Sequence, residues 1–126
     1  MVDYTQGFSV FAVTDTDAAK TFYGEVLGVE VGEEHGMLNI SLPGGARVMV
    51  YPKDDHEPAV FTILNLAVDD LPAVVDELAG RGVTWLRYEG FEQDERGIAS
   101  GDMGPDIAWT SDPAGNIVSV MQSARA

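Results

Sequence analysis

The chain has no cysteine, so disulfides and thiolate metal sites are excluded, and a cytoplasmic location is expected. Basic residues are scarce: 7 Lys and Arg stand against 21 Asp and Glu, a net charge of −14. A phosphate-binding face needs clustered cations, so nucleic acid is not an expected partner. No stretch approaches the roughly 18 apolar residues of a membrane span, and no membrane partner is expected. The N-terminal Met1-Val2-Asp3-Tyr4 has neither a basic region nor an apolar one, so no secretory leader is expected. Histidine is limited to His35 and His56, each in a polar turn or linker beside carboxylates, where solvated side chains are expected. There is no Ser-His-Asp order worth defending, no phosphate-cradling glycine loop and no nucleotide fingerprint. No catalytic residue is assigned.

What is present suffices for a folded domain. The chain has 126 residues, 45% of them hydrophobic, which predicts a single domain over 1–126 with a real core. The acidity serves solubility or draws a cationic ligand toward an acidic cleft.

The order of elements is repeated. Gly7 to Val13 is β-prone and ends in Thr14-Asp15-Thr16-Asp17, a cluster of N-cap candidates. Ala19, Phe22, Tyr23, Val26 and Leu27 recur at helical spacing, and Gly28 suits the residue after the helix. Strands follow at Val29–Val31, Met37–Leu42 and Ala46–Tyr51, the last two joined by Pro43-Gly44-Gly45. After a polar linker, Val60 to Val68 reads as a strand. Asp69-Asp70 offers caps, and Leu71, Val74, Val75 and Leu78 give a second helix. Val83–Leu86 reads as a strand, Glu89 to Asp106 as a loop with a short strand near Ile98, and Ile107–Thr110 leads into a final hairpin. Ala12-Val13-Thr14-Asp15 falls on Ala67-Val68-Asp69-Asp70, a shift of 55, and Tyr23 falls on Leu78. Two modules are predicted, 1–53 and 58–126.

The final hairpin carries a turn, Asp112-Pro113-Ala114-Gly115-Asn116, before the apolar strand Ile117–Met121. With Val13-Thr14-Asp15…Leu27-Gly28-Val29 and Val68-Asp69-Asp70-Leu71…Gly82-Val83, it resembles the vicinal oxygen chelate superfamily, which includes glyoxalases, extradiol dioxygenases and bleomycin-resistance proteins. The resemblance implies an α+β fold of two βαβββ modules around a cup-shaped, partly open barrel. It also implies pairing into a homodimer, and in the family's enzymes a divalent metal held by His, Glu or Gln on inward strand faces.

Carried over residue by residue, the metal positions fall on Phe8, Met49, Ile63 and Ser119. None of these is a useful ligand for a hard divalent cation. No metal and no cofactor is therefore expected, and the cavity becomes mostly apolar. Val10, Tyr51, Asn65 and Met121 share its faces, and Trp85, Met103 and Trp109 are candidate wall or rim residues. Aromatic and methionine side chains with a few polar groups suit a small molecule, and Trp and Tyr stack on rings or cations. The same residues could equally fill a core. The resemblance thus implies a metal-free binding protein that sequesters an aromatic or cationic compound. The alternative is a lyase, isomerase or dioxygenase in which His35, His56 and acidic loop residues act as displaced ligands. A third possibility is an interaction module whose cup is filled and whose sheet edge makes a dimer.

Overall fold

A computed structural model describes residues 1–101 and 104–124. The chain divides into two compact units, Met1–Glu57 and Pro58–Ala126. Each is one four-stranded mixed sheet with a helix, and the two follow the same plan.

In the first unit, strand β1 (Ser9–Val13) leads into helix α1 (Thr16–Lys20) and then β2 (Glu30–Glu34), β3 (Met37–Ser41) and β4 (Arg47–Pro52). The sheet order is β1-β4-β3-β2, with β1 and β4 parallel and the rest antiparallel. Asp15 caps α1 by accepting from the backbone N–H groups of Asp17 and Ala18 at 2.9 and 3.2 Å. The helix widens into a π-helical segment, Thr21–Val26, in which Leu27 N–H reaches back five residues to the Phe22 carbonyl at 2.9 Å. Gly28, at φ 80°, ends it. Alternation on β3 and β4 sends Leu38, Ile40, Val48 and Val50 to the helix side, where Ala19 and Tyr23 are buried. His35 and Gly36, both at positive φ, form the two-residue turn between β2 and β3.

In the second unit, β5 (Thr62–Val68) leads into helix α2 (Leu71–Gly80), followed by β6 (Ala99–Gly101), β7 (Gly104–Ser111) and β8 (Ile117–Gln122). The order β5-β8-β7-β6 repeats that of the first sheet, again with the first pair parallel. Asp70 caps α2 through Ala73 N–H at 3.2 Å, and Pro72 sits in the first turn, where its missing N–H costs nothing. Leu71, Val75 and Leu78 are buried, as are Leu64, Ala108, Val118 and Val120 in the strands.

The stretch 83–86 departs from its expected course. No regular strand forms at Val83–Leu86. The segment instead runs irregularly beside β7, with Leu86 N–H on the Trp109 carbonyl and Thr110 Oγ1 on the Thr84 carbonyl, both 2.8 Å. Side chains take over the role of a strand ladder. Gln93 donates to the carbonyls of Leu86 and Gly97 and accepts from Tyr88 N–H, all at 2.8 Å. Asp94 accepts from the N–H groups of Arg96 and Ile98 at 2.9 Å. Gly97, at φ 96°, lies where a Cβ would come 3.0 Å from the Trp85 Cβ.

Candidate ligand-binding site

Each sheet has one face against its helix and one without a helix. Register defines the helix-free faces. In the first unit Val10 pairs with Met49, and Met49 with Asn39, so these three form one row. In the second, Asn65 pairs with Ser119, and Ser119 with Trp109. The rows correspond: Val10 shifted by 55 is Asn65, and Met49 shifted by 70 is Ser119.

The helix-free face of the second unit carries a cavity of about 470 Å³. Trp109 and Met121 line it together with Phe91, Ile107, Ala99 and Pro105, and Glu92 adds a carboxylate. Trp109 is in contact with two other rings. Tyr88 lies edge-on to it at a centroid distance of 5.3 Å and 82°, and Phe91 tilts against it at 5.2 Å and 57°. Phe91 is exposed, so part of its face is open to a ligand.

The helix-free face of the first unit carries a second cavity of about 310 Å³. Phe8, Met37 and Met49 supply its apolar wall, and Gln6, Asn39 and Arg47 its polar one, with Glu34 and His35 at the β2–β3 turn.

The remaining residues singled out in the sequence lie elsewhere. Tyr51, half-buried, follows Met49 by two residues on β4 and is not among the lining residues of this cavity. Ile63 sits at the irregularity where the β5–β8 register shifts between Thr62 and Leu64. Trp85 turns its indole to helix α2, donating to the Val75 carbonyl at 3.2 Å. Met103 lies outside the described residues. Ser119 is fully buried, and its hydroxyl donates to Asn65 Oδ1. Phe91, Ile107 and Arg47 were not singled out. Alternation could have found two of them, since Ile107 precedes Trp109 by two residues and Arg47 precedes Met49 by two. Phe91 sits in the irregular segment, where no period applies.

The donor set does not fit the divalent ion that the resemblance implies. Phe8 and Ile63 carry no donor, Met49 offers only a soft thioether, and the Ser119 hydroxyl is committed to Asn65. Among the described residues, no three His, Asp or Glu side chains gather in a group that could hold a metal ion. His35 lines the first cavity beside Glu34, with Nε2 3.6 Å from a carboxylate oxygen, and has no second acidic neighbour there. The displaced titrations lie away from both cavities. Asp55 is held below the ordinary carboxylate range by its hydrogen bond and charge attraction to Lys53. Arg96 is held higher by its hydrogen bond to Asp76.

Residues 3–120 match the family model described as Glyoxalase/Bleomycin resistance protein/Dioxygenase superfamily. The chain belongs to this superfamily. Solved structures of the superfamily's fold agree. TnmS3, an antibiotic binding protein from Streptomyces sp. CB03234, has 22% identity and a TM-score of 0.67, covering 98% of this chain and 100% of its own. A superfamily member from Sphaerobacter thermophilus has 21% identity and a TM-score of 0.68, with coverages of 94% and 98%. The fosfomycin resistance protein FosX from Listeria monocytogenes has 9% identity and a TM-score of 0.72, with coverages of 98% and 96%. Comparison with curated protein sequences returns no match. No helix is long and apolar enough to cross a membrane among the described residues.

Proposed function

We propose that this member of the glyoxalase/bleomycin-resistance superfamily is a small-molecule-binding protein that sequesters an aromatic or cationic compound without a metal. The observation that carries this reading is Trp109, braced by Tyr88 and lining an apolar cavity with Phe91 and Met121. A braced ring presents a flat, apolar face at little entropic cost, and such faces stack on planar ligands or attract cations. Glu92 and the net charge of −14 favour a cation over an anion there. A binding role, rather than turnover, is favoured by the donor-poor residues Phe8, Met49, Ile63 and Ser119. The fold's likeness to an antibiotic binding protein is compatible with it.

A cytoplasmic homodimer completes the proposal. Phe8 and Val10, on or beside edge strand β1, are 54% and 57% exposed, and a bare strand edge with apolar side chains calls for cover. Analytical ultracentrifugation at micromolar concentration gives a dimer on this account and a monomer otherwise.

The binding claim is tested by titrating proflavine, a planar aromatic cation, into chelator-treated protein by calorimetry, alongside metal analysis. Saturable binding without metal and without chemical change of the probe is expected. A stoichiometric divalent ion that survives dialysis, or no binding of the probe, would overturn the reading.

A further inference from the structure

The first unit carries an unpartnered cation where the chain can least be expected to leave one. Among the described basic side chains, Lys20 pairs with Glu33, Lys53 with Asp55, Arg81 with Glu77 and Arg96 with Asp76. Arg87 donates to the carbonyls of Asp94 and Glu95 at 2.7 and 3.0 Å. Arg47 has no partner among the described residues, although the chain holds 21 carboxylates. Arg47 lines the cavity on the helix-free face of the first sheet.

Two carboxylates bear on Arg47: Glu30 shares its cross-strand row through Ser41 but sits two strands away, and Glu34 lies farther along the sheet, with no ion pair to either among the described residues. Arg47 opens β4 opposite Ser41, whereas Glu34, the acidic residue lining this cavity, pairs with Met37 on the same strand β3. The two rows are four residues apart on β3, about 13 Å along the strand. Neither side chain can pair with the other over that distance without leaving its place. Met49 and Asn39 form the row between them, and Phe8 and Met37 add apolar lining. The amides of Gln6 and Asn39 line the same cavity and can donate to an oxygen acceptor.

We propose that this cavity binds an organic carboxylate with an apolar body, with Arg47 reading the carboxylate. A guanidinium forks onto a planar carboxylate through two parallel N–H donors, and the apolar wall receives the rest of the molecule. A single guanidinium balances a monoanion. A phosphate dianion would leave a net negative charge facing Glu34 in a chain already at −14, with no second Lys or Arg lining the cavity among the described residues. The inference rests on the reading of the chain as a small-molecule binder. It adds a ligand class and a second site on the other unit.

The test uses the full chain and three probes: 4-phenylbutyrate, its neutral amide and inorganic phosphate. Binding is followed by the ¹³C-methyl shifts of Met37 and Met49 in labelled protein. The wild type is expected to bind the acid at least about tenfold tighter than the amide, consistent with a charge-assisted hydrogen bond, and to ignore phosphate. Arg47→Met should abolish the preference for the acid, and Arg47→Lys should keep part of it. Arg47 is exposed, so neither change threatens folding. Equal affinity for acid and amide, a preference that survives in Arg47→Met, tight phosphate binding, or no binding of the acid would each overturn the proposal. Proflavine binding at Trp109 is scored separately, so failure of one site is distinguishable from failure of the other.

Discussion

The two hairpin turns that precede β4 and β8 make the same backbone connections with different side chains. In the first unit Leu42 N–H donates to the Ala46 carbonyl at 2.9 Å and Gly45 N–H to the Leu42 carbonyl at 3.2 Å. In the second, Asp112 N–H donates to the Asn116 carbonyl at 2.8 Å and Gly115 N–H to the Asp112 carbonyl at 2.9 Å. Each position is shifted by 70. The same shift carries Lys53, whose N–H donates to Val13, onto Ser123, whose N–H donates to Val68. The backbone plan is common to both units, and the side chains have parted. Asp112, only 4% exposed, accepts from Ala114 N–H, Asn116 N–H and Asn116 Nδ2, each at 2.9 Å. Leu42 and Ala46 have no such side-chain bonds to offer. A shared fold therefore fixes where a face lies, while the residues on it decide what that face can hold.

The comparison breaks most visibly at that turn. Asp112→Leu, which gives the second turn the residue of the first, strands two backbone N–H groups and the Asn116 amide. It should cost about 3 kcal/mol, the usual range for losing charge-assisted bonds in a buried site. Leu42→Ala at the matching position should cost about 1 kcal/mol, since Leu42 is only half-buried. Urea unfolding midpoints check both, and equal losses would mean that the buried carboxylate is not what holds the second turn.

The next effect is on binding. Trp109→Ala should weaken proflavine by about 30-fold, roughly 2 kcal/mol for a lost aromatic face, and Trp109→Phe should retain most of the affinity. Met49→Ala, on the corresponding face of the first unit, should leave proflavine binding within about twofold. Calorimetry reads both, and a larger loss for Met49→Ala would reverse the assignment of the aromatic site.

A third prediction concerns the missing donors. Ser119→Glu should create no saturable Mn²⁺ site, because Phe8, Met49 and Ile63 still supply no oxygen or nitrogen donor. It should also lower stability, since an unpaired carboxylate would replace a buried hydroxyl bonded to Asn65. A Mn²⁺ titration that saturates at one equivalent would contradict the account.

The smallest effect is at the unit ends. Asp55 gains a lowered pKa from its hydrogen bond to Lys53, whose own pKa is raised by the same partner. A depressed carboxylate contributes stability that is present above its unfolded value of about 3.9 and is lost as pH falls through the folded one. The difference in unfolding midpoint between wild type and Asp55→Asn should thus be small at pH 7 and vanish once the pH has fallen below the folded pKa. At the matching end of the second unit, Ser123 Oγ donates to Asp69 Oδ1 at 2.9 Å, with no cationic partner among the described residues. Ser123→Ala should then show a weaker dependence on salt than Asp55→Asn.

Much of this fold was legible because its signals are local and occur twice. The capping aspartates Asp15 and Asp70, the Pro-x-Gly turns and the alternation on β3, β4 and β8 each act within a few residues. What was not legible depends on partners far along the chain. The stretch 83–86 looked like a strand because Val83, Trp85 and Leu86 are β-prone, yet its Leu86 carbonyl is taken by the Gln93 side chain rather than by a strand ladder. Trp85 could be named as a wall residue but its direction could not, and its indole bonds to helix α2. Arg47 was passed over because no local motif marks it. Only the partners of every other described cation set it apart.

One spectrum addresses the divergence of the two faces directly. Met37 and Met49 line the cavity of the first unit, and Met121 lines that of the second. In methyl-labelled protein, proflavine should shift Met121 and leave Met37 and Met49 in place, while 4-phenylbutyrate should shift Met37 and Met49 and leave Met121. Both probes shifting the same methyl groups, or neither shifting any, would contradict the claim that the repeated units have taken on different ligands.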